Sequence, residues 1–138
     1  MLRTGRDVKT KRFLVVEDDE LDFAYVEHCL RVSVSDPVEI IWASDVETAR
    51  QHLKSQSFDL VILDYHLGNR TPGALVQYLR NEDRDIAKDV PVMVLSSVHP
   101  HLLEPFLEAL DRSVFVQKTE MNLAAFRISI SALGVTAH

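Results

Sequence analysis

The sequence predicts an α/β fold: a five-stranded parallel sheet covered by helices on both faces. Three observations predict it. Short apolar runs of β type alternate along the chain with segments of helical pattern, five of each. The apolar runs are nearly continuous, as strands buried on both faces are. The 138 residues suffice for one domain with a proper core and are too few for two ordinary ones.

The elements follow in order. Phe13 to Val16 is the first strand, running into Glu17-Asp18-Asp19, and a helical pattern covers about 20–33. Val38 to Trp42 is the second strand. The next helix, 44–56, opens on Ser44-Asp45-Val46-Glu47, which has the form of a capping box. Asp59 to Leu63 is the third strand, closed by Asp64, and a helical segment follows at about 72–83. Val90 to Leu95 is the fourth strand, with a helix over 101–111. Proline is tolerated in the first turn of a helix and breaks its interior, so Pro105 predicts a late start near Glu104, leaving Val98 to Leu103 as a mobile loop. Val114 to Val116 is the fifth strand. The last helix, 119–133, has Thr119 as its expected cap. On that helix Leu123, Phe126, Ile130 and Leu133 form an apolar stripe for the sheet. Met121, Ala125, Ile128 and Ala132 form a second stripe on roughly the opposite side. A helix on a sheet needs only one such face, so the second is expected to meet a partner or a second copy of the chain.

Composition narrows the setting. With 46% hydrophobic and 26% charged residues the chain reads as a soluble globular protein, and no apolar run reaches the length of a membrane span. MLRTGRDVKTKR carries cations without an apolar segment behind them, so it is not a secretory signal. Arg3, Arg6, Lys9, Lys11 and Arg12 crowd the start of the chain, which reads as a solvated, flexible arm over 1–11, ahead of a folded domain over 12–134 and a short tail, 135–138. Cys29 is the single cysteine, which favours a reducing, cytoplasmic setting. A net charge of −6 argues against nucleic acid as a direct ligand. Trp42 is expected in the core or at a sheet edge. His28 and His52 lack metal-ligand spacing, and His99 and His101 read as loop residues.

In doubly wound folds ligands sit outside the carboxyl ends of the strands. There the sequence places Glu17, Asp18 and Asp19, then Asp64, then Ser96 and Ser97, and then Lys118. Each alone has an ordinary structural explanation: a solvated loop or helix start, a cap, a turn, a surface charge. Their coincidence at one sheet edge points to chemistry. Carboxylates this close repel unless a cation joins them, and magnesium takes one or two carboxylates plus phosphate oxygens. An ionised aspartate can also attack phosphorus to form an aspartyl phosphate. Lys118 and a cation would neutralise phosphoryl oxygens, and the Ser96 hydroxyl would donate to one of them.

On these residues the sequence resembles the receiver domain of two-component response regulators, over about residues 12 to 133. FLVVED matches the family's first strand and acidic pair, VILD its phosphoacceptor, VMVLS its hydroxyl position and VFVQK its lysine and switch aromatic. The resemblance implies a flavodoxin-like sheet of order 2-1-3-4-5 with five helices. It implies Asp64 as phosphoacceptor and Asp18 as direct metal ligand, with Glu17 acting largely through water. The backbone carbonyl of His66 would be a further ligand to Mg2+ (or Mn2+), Lys118 and Ser96 would bind the phosphoryl group, and Ser96 and Phe115 would be the switch. The implied partners are a histidine kinase or histidine phosphotransfer protein and a downstream protein. Nucleic acid and membrane are not among them.

The chain also departs from the family pattern. Thr119 stands where proline usually follows the lysine, so the Lys118–Thr119 peptide is expected to be trans. Gly68 stands where a proline is usual, the loop Gly68 to Gly73 is one residue longer than usual, and Pro100 and Pro105 fall around the fourth helix. Three other classes compete with the phosphorylated switch. An aspartate-nucleophile phosphatase would want a second aspartate where His66 stands. A nucleotide or flavin binder would want a Gly- or Ser/Thr-rich loop after strand one. A degenerate receiver, acting as an interaction module without phosphorylation, would have lost part of the acidic pair, acceptor, hydroxyl and lysine.

Overall fold

The computed structural model describes residues 10–66, 90–97 and 112–135. Its sheet has five strands in the order β2-β1-β3-β4-β5, and all neighbouring pairs run parallel. The strands are β1 (Lys11–Val16), β2 (Val38–Ala43), β3 (Leu60–Asp64), β4 (Val92–Ser96) and β5 (Ser113–Gln117). The helices are α1 (Glu20–Ser33), α2 (Val46–Ser55) and α3 (Leu123–Ala132), with a single 3-10 turn, Lys118–Glu120, after β5. The doubly wound parallel sheet and its strand order are therefore as expected. The segments 72–83 and 101–111 lie outside the described residues, as do the loops Gly68 to Gly73 and Val98 to Leu103, His99, Pro100, His101, Pro105 and the start near Glu104.

Burial follows the pleat. In β1, Leu14 and Val16 join Val61, Leu63, Val92 and Val94 under Ala49 and Leu53 of α2. Phe13 and Val15 face the other way, with Leu60, Ile62, Met93 and Leu95, under Val26, Cys29 and Leu30 of α1 and Phe126 and Ile130 of α3. Every residue of β3 and β4 is buried, which accounts for their unbroken apolar runs. Each of their Val, Leu, Ile and Met side chains taken fully out of water contributes roughly 1.5–3 kcal/mol.

Helix ends depart from the sequence expectation in instructive ways. Asp19, in the acidic run read as a solvated loop or helix start, is the N-cap of α1, its carboxylate accepting from the Asp22 N–H. Asp45, not Ser44, caps α2 by accepting from the Thr48 N–H at 2.8 Å. Asn122, not Thr119, caps the last helix by accepting from Ala125 N–H at 2.9 Å, because residues 118–120 are used by the 3-10 turn. Since α3 begins only at Leu123, Met121 lies off its helical period; Met121 and Ala125 pack against the core, whereas Ile128 (70% exposed) and Ala132 face solvent. The inward stripe is as read: Phe126, Ile130 and Leu133 are buried.

α3 ends in a Schellman motif. Gly134 adopts φ 81°, its N–H bonds the Ser131 carbonyl and the Val135 N–H bonds the Ile130 carbonyl, which turns Val135 into the core. Val135, expected in the tail, is thus part of the core, and Lys11, expected in the arm, opens the first strand. Trp42 lies on the edge strand β2. No peptide bond among the described residues is cis, so the Lys118–Thr119 bond is trans.

Candidate functional site

One step beyond the last pair between β1 and β3, Val16 with Leu63, stand Glu17 and Asp64, the latter still paired with Leu95 of β4. Both are buried, at 1% and 3% exposure. Glu17 is fixed through its backbone: its N–H bonds the Ala43 carbonyl at 3.0 Å, and its carbonyl accepts from the Trp42 indole at 2.6 Å. The Trp42 ring stacks in turn on Phe23 of α1, centroids 4.5 Å apart. The Glu17 carboxylate accepts from the Asp19 N–H at 3.2 Å. Asp64 accepts from the His66 N–H at 3.2 Å, which holds the His66 peptide against the carboxylate.

Lys118 reaches the same place from the 3-10 turn after β5. Its Nζ lies 3.3 Å from Asp64, 3.5 Å from Glu17 and 3.0 Å from Asp22 of α1. Asp18 is exposed at the mouth. Carboxylate oxygens of Glu17, Asp18 and Asp64 all lie within 4.8 Å of one another. Ser96 is fully buried at the end of β4, opposite Gln117 in the register. Phe115, half-buried in β5, lines a groove with Ala125 and Ile128.

The electrostatics follow from burial. The Glu17 carboxyl is pushed up to about 8, first by burial and then by the Asp64 charge, with Lys118 pulling the other way. Burial also raises the Asp64 carboxyl, against the pull of Lys118, the hydrogen bond with Glu17 and the His66 N–H. Burial acts to lower the Lys118 ammonium, but its hydrogen bond to Asp22 and the charges of Asp64 and Glu17 outweigh this and raise it. Lys118 is therefore a fixed cation among carboxylates that resist ionising together. Oxygen donors grouped this closely fit a hard divalent cation, which would relieve that resistance.

The structure thus brings together Glu17, Asp18, Asp64 and Lys118, with the His66 peptide on Asp64 and Ser96 at the end of the adjoining strand. Two participants escaped sequence reasoning. Asp22 signals only a favourable acid in a first helical turn, and nothing in the sequence links it to a lysine 96 positions away. Trp42 was legible as core or edge, but not as the donor to Glu17.

Comparisons with known proteins bear on the family and the fold. The model of the response regulator receiver domain matches residues 13–120. A response regulator from Thermotoga maritima shares 24% identity at a TM-score of 0.71, covering 91% of this chain and 98% of its own. A putative response regulator from Chloroflexus aurantiacus shares 20% at 0.75, covering 91% and 99%. The receiver domain of a sensor histidine kinase from Pseudomonas aeruginosa, solved with a magnesium ion coordinated in its active-site cleft, shares 20% at 0.74, covering 91% and 99%. At these identities the structures establish a common fold. No curated protein matches the chain in sequence.

Proposed function

The chain belongs to the response regulator receiver domain family, and from that premise we propose that it takes a phosphoryl group onto Asp64 and signals through protein partners. The observation that carries this reading is the placement of the Lys118 ammonium within 3.5 Å of both buried carboxylates, Asp64 and Glu17, at the carboxyl edge of the sheet. The donor is a phosphohistidine of a histidine kinase or phosphotransfer protein. An Asp64 oxygen attacks phosphorus, the new P–O bond forms as the P–N bond breaks, and the imidazole nitrogen keeps the electron pair and takes up a proton.

Glu17, Asp18, Asp64 and the His66 carbonyl would hold Mg2+, which when bound supplies charge neutralisation for the phosphoryl oxygens. Lys118 supplies a second positive charge, kept protonated by its carboxylate neighbours. The Ser96 hydroxyl is assigned a hydrogen bond to a phosphoryl oxygen, and Phe115 the coupling of that event to the face carrying Ile128. Two populations, with and without the phosphoryl group, would then differ in what that face binds. The basis for that part is that Phe115 and Ile128 line one groove.

Incubation with Mg2+ and a small phosphodonor, followed by intact-mass measurement, tests the reading. A single base-labile phosphoryl adduct that disappears in Asp64→Asn is expected. An adduct that persists in that variant, or none in the wild type, would overturn it.

A further inference from the structure

An ammonium has three hydrogens to donate. In the resting site those of Lys118 face three carboxylates, and the shortest contact, 3.0 Å, goes to Asp22, ahead of Asp64 at 3.3 Å and Glu17 at 3.5 Å. Asp22 is not one of the strand-end residues. It sits in the first turn of α1, where its own N–H is tied to the Asp19 carboxylate at 2.8 Å. Its neighbour Phe23 is stacked on Trp42. The turn carrying Asp22 is thus fastened on both sides, to its cap and to the edge strand. Asp22 is poorly placed to follow Lys118 if the lysine moves.

A phosphoryl group on Asp64 brings new anionic oxygens to the lysine. Every N–H it could take already faces a carboxylate, and the carboxylate outside the reacting cluster is Asp22. We propose that Asp22 is a positioning residue that holds Lys118 toward α1 in the resting site, so that a phosphoryl group on Asp64 must draw the lysine away from it. This rests on the assignment of Asp64 as phosphoacceptor. An exposed ion pair of this kind would ordinarily count for little. Here the lysine side chain is only 22% exposed and its other two acceptors are buried, whereas Asp22 at 42% regains water when released. The cost of release therefore falls on the Lys118 contact and is modest, a bias rather than a lock.

The test is the affinity for beryllofluoride, a phosphoryl mimic, at saturating Mg2+, measured calorimetrically on the full chain. Asp22→Asn is expected to tighten binding about two- to fivefold, the range an ion pair of this exposure supports. Glu20→Gln removes a negative charge from the same helical turn without a contact to Lys118 among those seen, and is expected to leave the affinity unchanged. Damage to the fold cannot mimic tighter binding. Unchanged or weaker binding in Asp22→Asn overturns the proposal, as does equal tightening in Glu20→Gln, which would show through-space charge alone. If the wild type itself fails to bind beryllofluoride with Mg2+, the functional reading falls and this inference with it. If the wild type binds and Asp22→Asn does not differ, only the inference falls.

Discussion

Cation binding to the strand-end carboxylates is expected to expel a proton. The perturbation is pH, with Glu17→Gln as the companion variant. In the metal-free protein the Glu17 carboxyl is raised from 4.5 to about 8 by burial and then by the Asp64 charge. A carboxylate that holds the cation must be deprotonated, so at pH 7, below the raised pKa, binding should release a large fraction of a proton. The apparent Mg2+ affinity should then rise about tenfold per pH unit below pH 8 and level off above it. The sign for stability is the reverse. A group whose folded pKa lies above its unfolded value stabilises the metal-free fold fully below about 4.5 and loses that contribution as pH rises through about 8. Mg2+ should therefore raise the unfolding midpoint more at pH 8.5 than at pH 6. Titration calorimetry at pH 7 in two buffers of different ionisation enthalpy reads the proton count directly. Release near zero in the wild type, or the same release in Glu17→Gln, would refute the reasoning.

Other outcomes follow from the same geometry. Trp42→Phe keeps a ring for Phe23 but leaves the Glu17 carbonyl without its indole donor; a loss of about 1–3 kcal/mol is expected in denaturant unfolding followed by circular dichroism, together with weaker Mg2+ binding. Asp18→Asn should weaken Mg2+ binding and phosphorylation together, and unchanged Mg2+ affinity would remove Asp18 from the ligand set. Lys118→Ala should spare Mg2+ binding while slowing phosphorylation, with equal rates counting against its proposed role. Ile128→Glu should leave Asp64 phosphorylation intact and weaken self-association or partner binding. An unaltered sedimentation profile with normal partner binding would make the outer face of α3 ordinary surface.

Much of this molecule was legible in its sequence because burial on both sheet faces leaves little freedom. Leu60 to Leu63 must be apolar throughout, and the first charge after them, Asp64, must then lie at the strand's mouth. The same reasoning located Glu17 and Lys118. Local choices were less legible. Ser44 and Asp45 are both competent caps, and the choice depends on where β2 releases the chain, at Ala43. Thr119 lost its capping role because the chain makes a 3-10 turn at Lys118 before the helix can begin. Met121 was drawn into the wrong stripe by the same three residues. The pairing of Asp22 with Lys118 and of Trp42 with Glu17 depends on how α1 and β2 sit beside the sheet edge, which no periodicity records.

The central claim is that Asp64 carries the phosphoryl group. Treating the phosphorylated protein with borohydride reduces an aspartyl phosphate to homoserine, and peptide mass spectrometry locates the reduced residue. Homoserine at position 64 alone, dependent on Mg2+ and the phosphodonor, is the predicted result. Reduction at Asp18 or Asp19, a phosphoryl group found on a histidine, or no reduced residue at all would contradict the account.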